Sequence, residues 1–143
     1  MATQVLVLTN LYAYEKGLNR ALEAAKLADA GMNVVFLIDP GSVADIVRGL
    51  GQQGWLGSGA LRNLETSMLE GYRALATDIL QEAQSRFSQA GIAVETNVKE
   101  MSPQKYIQEL LNQKPTTVMV SGSSSLAGKL EKMLGQIEWI EEE

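Results

Sequence analysis

Hydroxyl and glycine residues cluster at one point of the chain, in a setting that suits the binding of an anion. The apolar run 116–120 (TTVMV) leads directly into Ser121-Gly122-Ser123-Ser124-Ser125, and apolar residues at helical spacing resume at Leu126. A loop between a buried strand and a helix start directs free backbone N–H groups and the positive helix end toward one place. Phosphate is the natural ligand of such a loop. The serines would equally well cap the following helix, so both interpretations stay open.

Two missing residue types restrict the catalytic chemistry. The 143 residues contain no cysteine and no histidine, which excludes disulfides, thiolate ligands and cysteine nucleophiles and removes the commonest general base. Asp39 is a candidate for carboxylate-driven ATP hydrolysis, but it precedes Pro40-Gly41 and is more simply a turn residue. We therefore predict a protein that is not an enzyme, with no catalytic residue and no metal site.

Charge and hydropathy restrict the partners. The formal net charge is -5 and the Lys and Arg residues are scattered, so we expect no nucleic-acid partner. No segment approaches the roughly 18 apolar residues of a membrane-spanning helix, and the run 5–8 is too short for the core of a signal peptide. With 45% hydrophobic residues, the chain can fill one core. We expect a single cytoplasmic domain spanning residues 1–143, without a membrane partner.

The elements that must position the serine loop follow from apolar patterning. Strands are predicted at 4–9, 33–38, 92–98 and 116–120, and helices over 15–30, 61–90 and from Pro103 to a point before Pro115. Gly31 is the expected left-handed cap of the first helix. The alternating run 92–98 is typical of an edge strand. Strand-helix-strand order predicts right-handed crossovers in a parallel sheet, with the tips of the first and fourth strands adjacent.

Two segments are harder to interpret. Five glycines fall in the eleven residues 49–59 (GLGQQGWLGSG), which predicts a connecting loop held down by Trp55, or a loop that covers a ligand or binds a partner. At the C-terminal end, residues 137–140 fit either the end of a helix or a short strand. Three final glutamates oppose the dipole of a helix there, which favours helix to about Leu134 and another structure afterwards.

One stretch, residues 90–125 (AGIAVETNVKEMSPQKYIQELLNQKPTTVMVSGSSS), carries a family resemblance. Together with the strand-helix-strand opening, it resembles the universal stress protein family in the arrangement of its elements. The resemblance implies a three-layer α/β domain with a mostly parallel open sheet of flavodoxin- or Rossmann-like order 3-2-1-4, extended by a fifth strand if 137–140 forms one, and helices on both faces. One branch of that family binds ATP through a loop G-x2-G-x9-G-[ST] after the fourth strand, with an Asp at the end of the first.

The ATP-binding motif of that branch is only partly present here. Gly122 and Gly135 match two glycines at the right spacing, whereas Ser125 replaces the second glycine and Gln136 replaces the final Ser or Thr. Thr9-Asn10 stands where that branch has its Asp, and Ile38 ends the apolar stretch whose backbone meets adenine. The resemblance thus implies a degenerate nucleotide site made of Thr9, Asn10, Ile38, Gly122, Ser123, Ser124, Ser125 and Gly135.

Two functions are compatible with these residues. The loss of motif positions favours a small stress-response or regulatory domain that acts through an unidentified protein partner and as a homodimer, without strong ATP binding. The family's last strand often pairs two subunits, so Ile137 and Trp139 are candidate interface residues, with Trp55 as a further contact. The alternative is a domain that binds an adenine nucleotide, ATP with Mg²⁺ or AMP, through the loop 122–125.

Overall fold

The computed structural model describes residues 4–54, 57–115 and 117–142, and in these ranges five strands alternate with helices. The strands are β1 (Gln4–Leu8), β2 (Met32–Ile38), β3 (Val94–Glu100), β4 (Thr117–Gly122) and β5 (Glu138–Glu141). The helices are α1 (Glu15–Ala28), α2 (Pro40–Gln52), α3 (Ser58–Gln89), α4 (Pro103–Asn112) and α5 (Ser124–Lys129), followed by a 3-10 helix (Glu131–Gln136). None of the described helices is long and apolar enough to cross a membrane.

All neighbouring strands of the sheet are parallel, in the order β3-β2-β1-β4-β5. This confirms the predicted α/β class and strand order, and it shows that the C-terminal segment forms a short fifth strand. Every residue of β1 is buried, as a central parallel strand covered on both faces requires. The alternating strand β3 lies at one edge, as predicted, and β5 lies at the other.

Alternate residues of the strands form two cores, one on each face of the sheet. Leu6, Leu8, Val34 and Phe36 pack with α1 and α3 on one face. Val5, Val7, Val35 and Leu37 pack with α4 and the segment after β4 on the other. The helices therefore cover both faces, and the strand ends that face a common edge are held in register.

The first helix ends earlier than predicted. Helix α1 stops at Ala28, and its left-handed residue is Asp29 (φ 50), whose N–H bonds the helix. Aspartate tolerates this conformation better than most residues, so the prediction that Gly31 fills it was wrong. A Cβ at Gly31 would lie 3.1 Å from the carbonyl oxygen of Ala93. The glycine therefore allows the chain before β2 to pack closely against the chain before β3.

Six of the nine described residues of the glycine-rich segment 49–59 are helical, so the prediction of a long loop there was wrong. Helix α2 runs to Gln52 and α3 begins at Ser58. Asp39-Pro40-Gly41 does not form a free turn but begins α2, with Asp39 as N-cap and Pro40 at the first helical position. Val43 and Val47 lie one helical turn apart and are buried, and this packing outweighs the low helix propensity of glycine. Trp55 lies outside the described residues.

Candidate functional site

A cleft of about 270 Å³ lies at the carboxyl ends of β1, β2 and β4. Ligands of open parallel sheets bind in such a position, where the strand order reverses. Its wall combines apolar and aromatic side chains with a few polar groups. The lining residues are Thr9, Asn10, Leu11, Tyr12, Phe36, Leu37, Ile38, Asp39, Ser42, Tyr72, Pro103, Ser123, Ser125, Leu126 and Lys129.

The fold brings five of the sequence-predicted site residues into this cleft. Thr9, Asn10, Ile38, Ser123 and Ser125 line it, because parallel strands end at the same edge. The other three predicted residues are placed differently: Gly122 is buried behind the cleft, Ser124 is exposed on α5, and Gly135 lies in the 3-10 helix.

Gly122 is enclosed by side chains of the protein itself. A Cβ at this position would lie 2.5 Å from Thr9 Oγ1, 2.8 Å from Leu126 Cδ2 and 3.3 Å from the ring of Trp139. The Thr9 hydroxyl donates to the carbonyl oxygen of Ser121 (2.6 Å), and the Gly122 carbonyl accepts from the N–H of Glu142 (2.8 Å). Packing therefore explains why glycine occupies this position, without a ligand.

A carboxylate of the chain occupies the N-terminus of α1. Glu142 is only 3% exposed, and its Oε1 accepts from the backbone N–H of Lys16 (2.6 Å), in the first turn of the helix. Its Oε2 accepts from the hydroxyl of Ser121, which is fully buried on β4. The positive end of a helix and its free N–H groups favour an anion. Glu142 supplies that anion from within the protein.

A second carboxylate occupies the N-terminus of α2, beside the cleft. Asp39 Oδ1 accepts from the N–H of Gly41 (3.0 Å) and Asp39 Oδ2 accepts from the hydroxyl of Ser42 (3.0 Å). Lys129 is the one basic residue among the described residues that line the cleft. The N-termini of α1 and α2 thus carry built-in negative charge, whereas α5 begins at the serine loop without a carboxylate.

The remaining polar groups of the cleft are partly engaged with one another. The Asn10 Oδ1 atom accepts from the N–H of Tyr12 (2.9 Å), which fixes the turn after β1. The hydroxyls of Ser123 and Ser125 lie 2.9 Å apart and share a hydrogen bond. Within the described ranges, no group of three or more acidic residues could hold a metal ion. The cleft offers an apolar wall and hydroxyls more than charge.

An ion-pair network joins α1 to α3 next to the β1–α1 connection. Arg86 donates to both carboxylate oxygens of Glu15 (2.7 Å each) and to Glu82 (2.6 Å). The guanidinium holds the pKa of Glu15 below its usual range. The Tyr14 hydroxyl donates to Glu82 (2.9 Å), and this hydrogen bond raises the pKa of the tyrosine. The network fixes the start of α1, where Glu142 binds.

Comparison with known proteins yields a structural relative. No protein-family model and no curated protein matches the sequence. Among solved structures, a protein from the universal stress protein family from Burkholderia pseudomallei superimposes with a TM-score of 0.66, over 96% of this chain and 93% of that one. The chain has the fold of the universal stress protein family. The two sequences are 15% identical, so the likeness concerns the fold alone.

In this universal stress protein fold, β5 supplies one edge of the sheet. Ile137 and Trp139 are half-buried and pack against the core on the α4 face of the sheet, with the Trp139 ring close to Gly122. Glu138 accepts two hydrogen bonds from Arg20 (2.7 and 3.1 Å), which ties β5 to α1. Two of the three predicted interface residues therefore have contacts within their own chain, and the third, Trp55, lies outside the described residues.

Glu142, at the N-terminus of α1 rather than in the cleft, is a residue that the sequence does not single out. Its position among three C-terminal glutamates indicates a charge that opposes the dipole of a preceding helix. In the structure, Glu142 instead binds the N-terminus of α1. Its partner Lys16 is 126 residues away in sequence, and no local pattern marks a pairing over that distance. The short strand β5 is what carries Glu142 back to the first helix.

Proposed function

We propose that this protein is a cytoplasmic regulatory domain of the stress-response type, which acts through protein contacts and self-association and binds ATP weakly or not at all. The observation that carries the proposal is the pair of carboxylates at the ends of α1 and α2. Glu142 and Asp39 accept hydrogen bonds at two helix N-termini, positions that favour an anion. The proposal includes no catalytic role, in keeping with a chain that has neither histidine nor cysteine.

Electrostatics oppose a polyphosphate in this cleft. Asp39 lines the cleft, and a phosphate charge about 4 Å from its carboxylate meets a repulsion of at most about 4 kcal/mol at an effective dielectric constant of about 20, which solvent reduces because Asp39 is partly exposed. Without screening, a penalty of about 4 kcal/mol would weaken binding roughly a thousandfold, and screening makes the factor smaller. Lys129 lines the cleft but is exposed, so solvent screens the attraction that it supplies. The charges therefore support a domain that does not depend on ATP.

Self-association is the mode of action that β5 supports. Glu142 donates its N–H to Gly122 on β4, so the N–H of the preceding residue, Glu141, points away from the sheet. An open strand edge of this kind is a template for pairing with another chain. By resemblance to the family, the occupant is the β5 strand of a second copy, with Ile137 and Trp139 near the contact.

Adenine-nucleotide binding is the second candidate, and the composition of the cleft favours it. Thr9, Asn10, Ile38, Ser123 and Ser125 line one cavity with an apolar and aromatic wall, which suits a ring with a few hydrogen-bonding groups. In this case AMP or ATP with Mg²⁺ would bind through the hydroxyls of the serine loop.

Nucleotide release and thermal melting separate the two candidates. The purified protein is heated and the supernatant is assayed for released nucleotide, and melting is then measured with about 1 mM Mg-ATP, AMP or adenosine. A ligand at about 100 times its Kd stabilises a protein by about 2.7 kcal/mol, or roughly 5–10 °C for a chain of this size. We expect no released nucleotide and a shift below about 1 °C with ATP. A shift of several degrees would establish nucleotide binding instead.

Sedimentation velocity tests the self-association at β5. Glu141→Pro removes the outward N–H at an exposed position, whereas Glu141→Ala keeps it and is the matched control. We expect Glu141→Pro to lower the degree of self-association and Glu141→Ala to behave like the wild type. Equal self-association of the two variants would argue against pairing through β5.

A further inference from the structure

The outer edge of β3 presents a row of backbone groups without partners. Met32 donates its N–H to Ala93 and Met101 donates to Ile38 (3.0 Å each). Odd-numbered residues of this strand therefore direct their backbone groups toward β2, and even-numbered residues from Val94 to Glu100 direct theirs outward. Within residues 4–54, 57–115 and 117–142, no hydrogen bond reaches the outward backbone groups.

The side chains of β3 carry a symmetric charge pattern on one face. Glu95, Asn97 and Lys99 are exposed, while Val94, Thr96 and Val98 are half-buried against the core beneath α3. Glu95 and Lys99 lie two residues to either side of Asn97. The strand therefore reads negative, neutral, positive along its exposed face, and a copy that runs in the opposite direction reads positive, neutral, negative.

We propose that the β3 edge binds the β3 edge of a second copy of this chain, antiparallel, about a two-fold axis at Asn97. In this register Glu95 of each copy lies opposite Lys99 of the other, and the two Asn97 amides face each other. Val94 pairs with Glu100 and Thr96 with Val98, in the positions where antiparallel strands exchange both backbone hydrogen bonds. Glu95, Asn97 and Lys99 occupy the closer, non-hydrogen-bonded pairs, with Cα atoms about 4.5 Å apart.

Charge selects this register over its neighbours. A shift that centres the axis on Glu95 or on Lys99 places two like charges directly opposite each other, which is unfavourable. A shift of the centre by one residue, to Thr96 or Val98, leaves neither ion pair. Glu100 would add a charge at the end of the pairing, but Arg73 already holds it through two hydrogen bonds of 2.7 Å. The register centred on Asn97 is the one that forms both ion pairs.

This surface is separate from the one in the proposed function, since β3 and β5 are opposite edges of the sheet. The Glu141→Pro variant, which blocks β5, therefore serves as the background for a test of β3. If Glu141→Pro leaves self-association unchanged, the β5 proposal fails. If changes in β3 have no effect in the Glu141→Pro background, the β3 proposal fails.

Charge reversal tests the ion pairs. In the Glu141→Pro background, Glu95→Lys alone places a second lysine opposite Lys99, and Lys99→Glu alone places two glutamates opposite each other, so we expect each to weaken dimerisation about tenfold in sedimentation velocity at about 0.01 M salt. The double variant Glu95→Lys/Lys99→Glu restores both pairs and should recover the dimerisation of the Glu141→Pro parent. An equimolar mixture of the two single variants should form a mixed dimer. No recovery in the double variant and no mixed dimer would overturn the proposal.

Disulfide trapping tests the axis in the otherwise wild-type chain, which has no cysteine of its own. Asn97→Cys places two thiols opposite each other at a separation that a disulfide can span. Glu95→Cys is the control, because its thiols lie four residues apart along the paired strands, or about 13 Å. Under mild oxidation we expect Asn97→Cys to form covalent dimer at least tenfold faster. Equal rates for the two variants would refute pairing at Asn97.

Discussion

Replacement of Glu142 by alanine tests whether a carboxylate holds the C-terminal strand on the first helix. The change removes the acceptor for the Lys16 N–H and leaves the fully buried Ser121 hydroxyl without its partner. Hydrogen bonds to a charged group contribute about 1.5–3 kcal/mol each, and a buried polar group left unpaired costs about 1–3 kcal/mol. Because these terms overlap, we expect a loss of about 3 kcal/mol, or roughly 9 °C in melting temperature at about 3 °C per kcal/mol.

Denaturant unfolding monitored by circular dichroism measures this loss. Glu141→Ala is the matched control, because Glu141 is the exposed last residue of β5 and directly precedes Glu142, and we expect it to cost less than about 0.5 kcal/mol. Glu142→Gln keeps the acceptor oxygen but not the charge, and its loss should fall between the two. If Glu142→Ala is no more destabilising than Glu141→Ala, the carboxylate does not hold the strand, and the argument for an occupied anion site fails with it.

Three further changes test other contacts by the same unfolding measurement. Gly122→Ala should cost about 1–3 kcal/mol, since its Cβ would overlap Thr9 and packed side chains; a neutral result would show that the corner is loose. Asp39→Ala removes the cap of α2 and should cost about 1 kcal/mol, whereas no change would mean that the cap is unimportant. Because Arg86 lowers the pKa of Glu15, this pair stabilises the fold above the ordinary glutamate pKa of 4.5 and loses that contribution as the pH falls through the lower, folded value. Arg86→Ala should therefore flatten the stability profile below about pH 4.5, and an unchanged profile would contradict the assignment.

The sheet could be predicted from the sequence because its determinants are local. Continuous apolar runs mark β1, β2 and β4, the alternating run marks the edge strand β3, and the connections force parallel pairing. Helix α2 was missed because propensity and packing disagree there. Pro40 and Gly41 suggest a turn, while the burial of Val43 and Val47 against the rest of the fold determines the helix. Helix propensity can be read from a short stretch of sequence, but the surface against which Val43 and Val47 pack cannot.

The candidate site was predictable only where strand ends determine it. Thr9 and Ser123 follow neighbouring parallel strands, so their meeting in one cleft follows from topology alone. The contact of Glu142 with α1 depends on a four-residue strand and on the exact length of the connection before it. No residue type or spacing in the C-terminal segment distinguishes the buried Glu142 from the exposed Glu141.

The position of Gly122 shows how a motif glycine can match a nucleotide-binding family and still have another physical cause. Its small size is needed because Thr9, Leu126 and Trp139 close over it, and the carboxylate of Glu142 lies one residue away, on the hydroxyl of Ser121. The sequence alone does not distinguish a glycine that allows a phosphate to approach from a glycine that allows side chains to pack. They differ in what lies above the glycine, and here that space holds protein atoms. The universal stress protein fold is therefore compatible with helix N-termini whose anion positions are filled by carboxylates of the same chain.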